Sequence, residues 1–233
     1  MQNDADVVRL DEVQRHYTSG EVTVRALSGV SFSVAPGEFL ALAGPSGSGK
    51  TTLLNLIGAL DKPTAGTVRI EGKDLSTMSR SALSALRRDR LGFVFQAYNL
   101  IPVLSALENV EYVLMLQGRP AAERRERSLA ILDAVGLDGL ADRRPGELSG
   151  GQQQRVAVAR AIVSKPALVL ADEPTANLDS ATGEALLDLM AKLNEERGAT
   201  FIFSTHDPLV MERARRIVRL RDGRIESDTS TSP

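Results

Sequence analysis

Apolar and polar residues alternate through Val30-Ser31-Phe32-Ser33-Val34, the period-two signature of a strand with one buried face. Residues 7–17 and 22–27 also read as strands, and Pro36-Gly37 makes a turn after the third. Three strands without an intervening helix are unlike a plain β-α-β opening. They point to an antiparallel β-layer beside a second sheet. Short apolar runs follow at residues 38–43, 91–96 and 167–171, each read as a buried strand, with further strands at 67–71 and 200–204. Apolar residues recur at helical spacing over 51–60, 79–88, 105–117, 121–135, 149–164 and 180–197, and a short helix is expected after Pro208. From residue 97 to 164 no strand is expected. A helical block lying between two strands of one sheet is most simply an inserted lobe.

The pattern predicts a single α/β domain over residues 1–233. Its core and β-layer occupy 7–96 and 165–226, and its helical lobe occupies 97–164. Near the end, residues 216–220 and 224–226 flank Asp222-Gly223, a good type I′ hairpin turn. Residues 227–233 are polar and are expected to form a disordered tail. Composition narrows the picture further. With 42% hydrophobic residues the chain can bury a full core, and a formal net charge of −2 argues against a generic nucleic-acid binder. There is no cysteine, so neither a disulfide framework nor a thiolate metal site is available. The first six residues lack the basic start and apolar run of a signal peptide, and the most apolar long stretch, 99–117, is interrupted by Glu108 and Glu111. Any membrane role is therefore expected to run through a partner.

Candidate chemistry begins between the strand at 38–43 and the helix at 51–60. Gly44-Pro45-Ser46-Gly47-Ser48-Gly49-Lys50-Thr51-Thr52 matches the full phosphate-binding pattern G-x-x-x-x-G-K-[ST]. Glycines let backbone N–H groups close on a phosphate chain, and the helix N-terminus adds its positive dipole end. Lys50 is placed to reach β- and γ-phosphates, and the Thr51 hydroxyl to ligate Mg²⁺. Asp172 and Glu173 end the strand at 167–171, where strand C-termini face the ligand crevice of an open α/β sheet. Two adjacent acids there suit a division between metal and attacking water; a solvated turn is the plainer reading of such a pair. Leu148-Ser149-Gly150-Gly151-Gln152 opens another helix with a serine and two glycines, a second candidate anion site or an ordinary N-cap.

Together these residues resemble the nucleotide-binding subunit of ABC transporters over nearly the whole chain, from about residue 8 to 226. The motifs stand in the family's order. They are Gly44 to Thr51 (Walker A), Gln96 (Q-loop), Leu148 to Gln152 (the LSGGQ signature), Leu168 to Glu173 (Walker B and the catalytic glutamate), Asn177-Leu178-Asp179 (D-loop) and His206 (switch histidine). The resemblance implies a phosphate-loop NTPase core with a mostly parallel sheet, an N-terminal antiparallel β-layer and an inserted α-helical lobe. It also implies ATP and Mg²⁺ as ligands. Lys50 would bind the β- and γ-phosphates, Thr51 and Gln96 would ligate Mg²⁺ with Asp172 behind them, Glu173 would polarise water, and His206 would contact the γ-phosphate. Gly44, Pro45, Ser46, Gly47, Ser48, Gly49 and Thr52 would complete the phosphate cradle, and Tyr17 would stack on adenine. The family's head-to-tail dimer sandwiches ATP between Walker A of one chain and Ser149, Gly150, Gly151 and Gln152 of the other, with Asp179 at the interface. All motifs are intact, which implies a homodimer with two active sites.

Within the family, residues 95–110, together with Ala171-Asp172-Glu173-Pro174-Thr175 and Asn177-Leu178-Asp179-Ser180, look like the lipoprotein-releasing and macrolide-exporter ATPases. Ala176 stands where that subgroup commonly has glycine. The implied partner is an integral-membrane permease docked on the helical lobe, with Tyr98, Leu100, Ile101, Val103 and Leu104 offering an apolar surface. That places the chain at the cytoplasmic face of the inner or plasma membrane, without a nucleic-acid partner. Two alternatives are a soluble ABC ATPase acting on DNA or ribosomes, and a regulatory ATP-dependent clamp on a membrane complex. The arginine clusters near residues 87–90, 124–127 and 213–216 read as solvated helix faces.

Overall fold

The computed structural model describes residues 6–20 and 22–230. Met1 to Ala5, most of the stretch in which the absence of a signal peptide was read, lie outside them. Two sheets share the molecule. The first is an antiparallel layer with strand order β2-β1-β4-β5, built from β1 (Val8–Ser19), β2 (Val22–Val34), β4 (Ala65–Ile70) and β5 (Lys73–Asp74). The second is a six-stranded sheet of order β10-β9-β3-β8-β7-β6. It comprises β3 (Phe39–Ala43), β6 (Leu91–Phe95), β7 (Leu168–Asp172), β8 (Phe201–Thr205), β9 (Arg216–Arg221) and β10 (Arg224–Ser230). Five of its strands run parallel and only β10 is antiparallel. Helices α1 (Lys50–Ile57), α2 (Arg80–Arg90), α3 (Ala106–Leu116), α4 (Ala121–Ala134), α5 (Gly150–Ile162), α6 (Ser180–Arg197) and α7 (Pro208–Arg213) complete the described chain.

The sheet is apolar on both faces because both are covered, as parallel strands require. Leu40, Leu42, Leu168, Leu170, Ile202, Val218 and Leu220 join one core with the β-layer, α1 and α2. The residues between them, Phe39, Val169, Ala171, Phe201 and Phe203, join a second core with α3, α4, α5 and α6. Phe39 sits 5.6 and 4.6 Å from the rings of Phe201 and Phe203, so three aromatic rings on two neighbouring strands fill the base of that second core. Capping agrees with the sequence. Ser79, Ser105, Ser149 and Asp179 each accept a backbone N–H at the start of α2, α3, α5 and α6. The stretch from residue 97 to 164 contains helices and turns and no strand.

Two expectations are corrected. The strands expected at 22–27 and 30–34 are one continuous strand, β2. Gly29 adopts φ 83° and is the extra residue of a bulge, between the pairs Val13↔Val30 and Gln14↔Ser28. That extra residue resets the alternation, which is why the sequence reads as two strands. The tail expected at 227–233 is ordered as far as Ser230. Asp228, Thr229 and Ser230 pair with Val218, Ile217 and Arg216 of β9, and Asp228 takes a two-pronged contact from Arg216 at 2.8 and 2.7 Å. Residues 231–233 lie outside the described residues.

The last hairpin braces the first part of the chain. Its two-residue turn has Asp222 at φ 49° and Gly223 at φ 73°, as a type I′ turn requires. Gly223 N–H donates to Ser48 O at 3.1 Å, and Gly223 O accepts from Ser28 N–H at 2.8 Å. A β-carbon on Gly223 would stand 2.6 Å from Ala26 O. We therefore expect Gly223→Ala to destabilise the fold by about 2 kcal/mol, combining a left-handed backbone with overpacking. Urea unfolding should show a lower midpoint at unchanged slope; an unchanged midpoint would remove the brace from this account.

Candidate nucleotide-binding site

Every residue of β3 is buried, so the chain leaves the sheet at a fixed point and direction. Gly44 follows, and a β-carbon there would lie 2.2 Å from Leu220 O, so no other residue fits. Gly49, at φ 103°, ends the loop as the left-handed N-cap of α1, and its missing β-carbon would meet Ala26 O at 2.6 Å. Between them Pro45, Ser46 and Gly47 are exposed at the rim. Lys50 is 7% exposed, and its Nζ donates to Gly44 O at 2.8 Å and Pro45 O at 3.1 Å. The ammonium thus lies across the mouth of the loop, at the N-terminus of α1, where backbone N–H groups also point outward.

The strand order carries the remaining chemistry to the same edge. β8 lies beside β3, and β7 beside β8, so Thr205-His206 and Asp172-Glu173 emerge next to the loop. Glu173 takes a left-handed backbone (φ 45°) pinned by Glu173 N–H donating to Ser204 O at 2.9 Å. Its Oε1 lies 2.7 Å from His206 Nδ1, and its Oε2 accepts from Thr205 Oγ1 at 3.2 Å. Thr205 Oγ1 accepts from Asp207 N–H at 2.9 Å, and Thr175 Oγ1 donates to Asp207 Oδ2 at 2.8 Å. The Glu173 carboxylate is therefore oriented from two sides, while the His206 side chain stays largely exposed. Burial pushes the Asp172 carboxyl above the ordinary carboxylate range. The hydroxyl of Ser204 opposes this, the charge of Glu173 adds to it, and Lys50 and the Thr51 hydroxyl pull it down.

Gln96 leaves the end of β6, the next strand along. Its Nε2 donates to Asn177 Oδ1 at 3.4 Å and its backbone O accepts from Asn177 Nδ2 at 2.9 Å. A cleft of about 600 Å³ joins these groups. Pro45, Ser46, Gly47, Gly49, Lys50, Thr51, Thr52, Gln96, Glu173 and His206 all line it, while Gly44, Ser48 and Asp172 are not among its lining residues. Ser149, Gly150, Gly151, Gln152 and Asp179 are not among the lining residues. Ser149 and Gln152 form a reciprocal capping box at the start of α5. A β-carbon on Gly151 would stand 2.4 Å from Thr182 Cγ2, so this helix start packs tightly on the start of α6. Asp179 caps α6 there, and the Thr182 hydroxyl and amide hold its carboxyl below the ordinary range.

Tyr17 does not line the cleft; its cross-strand partner Val24 does. The Tyr17 hydroxyl donates to Asp61 Oδ2 at 2.9 Å, and the Arg15 guanidinium covers the ring at 4.4 Å from its centroid. Sequence reasoning passed over Val24, Arg25 and Ala26 of β2, which form one wall. Nothing in an exposed alternating strand marks them. It also passed over Thr205, although a polar run, Ser204-Thr205-His206-Asp207, ending an apolar strand was a usable signal. Of the residues expected to offer an apolar surface, Tyr98, Leu100, Ile101 and Leu104 are half-buried and Val103 is exposed. Leu100 packs on the second core, while Val103 is 73% exposed.

The donor set fits Mg²⁺. Asp172 Oδ1 is buried without a hydrogen-bond partner, and the Thr51 hydroxyl and Gln96 amide oxygen add hard oxygen donors. No group of three or more acidic or histidine side chains forms a metal cage among the described residues. That is the arrangement for an ion that takes the rest of its shell from phosphates and water.

A phosphate loop, a carboxylate pair and a positioned histidine on one edge of a parallel sheet define a nucleotide-hydrolysing cassette. The chain belongs to the ABC transporter family, whose sequence model matches residues 27–176. It is 50% identical over 226 residues to a macrolide export ATP-binding/permease protein, MacB, of Syntrophobacter fumaroxidans, covering 96% of this chain and 32% of that protein. It is 51% identical over 220 residues to an uncharacterized ABC transporter ATP-binding protein of Thermotoga maritima, covering 94% of each. The chain thus spans about a third of the macrolide export proteins it matches and nearly all of the Thermotoga protein. The solved dimeric structure of the ATP-binding cassette MJ0796 in a post-hydrolysis state with ADP and Pi superposes with a TM-score of 0.88 at 46% identity, covering 97% of this chain and 99% of that one. The fold is that of an ATP-binding cassette, and ATP with Mg²⁺ is its ligand pair.

Because Asp172 is held with a raised pKa, its ionised form costs stability in the folded state. That cost is absent below the unfolded value near 3.8 and grows as pH rises through the folded one. We expect Asp172→Asn to raise the melting temperature of the nucleotide-free, EDTA-treated protein at pH 7, with the gain shrinking as pH falls towards 4. A melting temperature that falls at pH 7 would contradict the burial argument.

Proposed function

We propose that the chain is the ATP-hydrolysing subunit of a membrane transporter. Two copies close head to tail on ATP, and their closure drives a separate permease at the cytoplasmic face. The observation that carries this reading is the separation of the two anion-binding helix starts. Lys50 and its loop line the cleft, whereas Ser149 to Gln152 do not, so a second copy is needed to bring the two to one nucleotide. The dimeric MJ0796 cassette supports the same arrangement by likeness.

In this reading Lys50 leaves the carbonyls of Gly44 and Pro45 for the β- and γ-phosphate oxygens, and the loop N–H groups from Gly44 to Thr52 cradle the chain of phosphates. Thr51 and Gln96 would hold Mg²⁺ with Asp172 behind them, and the charge the ion supplies would offset that of the β- and γ-phosphates. Glu173 takes the proton of the attacking water at Oε1 or Oε2, with Thr205 and His206 fixing the carboxylate plane. His206, exposed at the rim, then faces the γ-phosphate. Asp179 meets the partner copy, and Tyr17 with Val24 receives the adenine.

The permease seats on the helical lobe. A groove of about 440 Å³ runs between that lobe and the core, with Leu60, Phe93, Phe95, Val113 and Leu116 in its walls and Arg87, Arg88 and Arg160 among them. Tyr112, Met115 and Leu116 of α3 are exposed beside it, a concentration of apolar surface that suits a partner helix. Among the described residues no helix is long and apolar enough to cross a membrane, so the spanning part would come from the permease. The MacB relatives suggest an export-type partner, for macrolides or lipophilic cargo.

Lys50→Ala should abolish productive ATP binding. Glu173→Gln should bind ATP normally, lower kcat by roughly 10²–10³-fold and accumulate as a dimer by light scattering. Normal turnover by Glu173→Gln would overturn its assignment. The transporter reading is tested by capturing Glu173→Gln with ATP and Mg²⁺ from detergent-solubilised membranes. A multi-span membrane protein should co-purify; recovery of ribosomal proteins or nucleic acid alone would refute the transport claim.

A further inference from the structure

Gln96 sits between two points of attachment to one helix. Just before it, Phe95 O accepts from Gln154 Nε2 at 3.2 Å, and the same nitrogen donates to Pro174 O at 2.7 Å. Just after it the chain kinks sharply. Tyr98 and Asn99 adopt φ 55° and 50°, two consecutive left-handed residues with no glycine between Gln96 and Pro102 to ease them. Local backbone bonds do not account for the kink. They amount to Tyr98 N–H to Phe95 O at 3.2 Å and Asn99 N–H to Ala97 O at 2.5 Å. What spans it is the guanidinium of Arg160, one prong donating to Asn99 O at 2.5 Å and the other to Tyr98 O at 2.9 Å. A planar fork matches two adjacent carbonyls, and a lysine ammonium does not. Through the kink the Tyr98 hydroxyl reaches Asn177 O at 3.4 Å, and Asn177 Nδ2 returns to Gln96 O at 2.9 Å.

We propose that Arg160 is a positioning residue for hydrolysis, acting through Gln96. By clamping the left-handed pair Tyr98-Asn99 it fixes the backbone from which Gln96 reaches into the cleft. Arg160 lies outside the cleft lining, and its two guanidinium hydrogen bonds go to this loop, which carries its influence to Gln96. The inference rests on the reading that Gln96 acts on the bound nucleotide and its metal. Burial pulls the Arg160 pKa below the ordinary guanidinium value, in keeping with a charge kept inside for its two hydrogen bonds.

The test is steady-state ATP hydrolysis by the full chain carrying Gln96→Ala, Arg160→Lys, or both, with thermal unfolding measured on each. We expect Arg160→Lys to lower kcat by roughly 10-fold or more while the KM for ATP moves less than about two-fold. The double variant should be no slower than Gln96→Ala alone, because both changes remove one function. Multiplying effects, or wild-type turnover by Arg160→Lys, would overturn the proposal. Should Arg160→Lys unfold, the pair Arg160→Gln with Asn99→Gly takes its place. Glycine holds a left-handed backbone without a clamp, so part of the lost rate should return, and no recovery would refute the role. Normal turnover by Gln96→Ala would instead refute the role of Gln96 itself, and with it this inference.

Discussion

One backbone carbonyl organises this molecule. Ala26 O of β2 lies 2.6 Å from the point where a β-carbon would stand on Gly49 and the same distance from that point on Gly223. Three segments of the chain meet there at backbone distance, with the Leu27 side chain 2.8 Å from the same point on Gly49. The phosphate loop is therefore fastened by backbone contact to the β-layer behind it and to the last hairpin beside it. Side chains at these positions would force the segments apart, and the loop would lose the shape that aims its N–H groups outward. Close approach, and not hydrophobic bulk, is what this edge of the fold demands.

The sheet order turns that fixed point into a site. Strands β3, β8, β7 and β6 lie side by side and parallel, so their C-terminal ends present Lys50, His206, Glu173 and Gln96 along a single edge. The helical lobe reaches the same edge through α5, whose Gln154 and Arg160 grip the chain on both sides of Gln96. The lobe is thus more than an appendage on the core. It holds one wall of the cleft, and the apolar groove beside Phe93 and Leu116 runs against that attachment.

Much of this was legible in the sequence, for physical reasons. Buried parallel strands leave unbroken apolar runs, as at Phe39 to Ala43. Helix caps leave serine or aspartate at fixed offsets, as at Ser105 and Asp179, and a phosphate loop tolerates few residue types. What escaped depends on contacts between distant residues. The bulge at Gly29 hid the unity of β2 because it resets a local alternation, and the pairing of Asp228 with Arg216 ordered a stretch that looks featureless by itself. Tyr17 reads as an open aromatic, yet Arg15 and Asp61 occupy one ring face and its hydroxyl. Nor does the sequence disclose that Val24 and Ala26, on an otherwise ordinary strand, would form a wall of the cleft.

The turn at Asp222-Gly223 also bears on how the protein is made. The phosphate loop is translated well before the backbone that braces it, since Gly223 follows Ser48 by 175 residues. A growing chain emerges from the ribosome N-terminus first, so core and loop are exposed before β9 and β10 exist to close the sheet edge. The nucleotide cleft is thus complete only once Gly223 has emerged, and a chain truncated before residue 223 would present a loop without its brace.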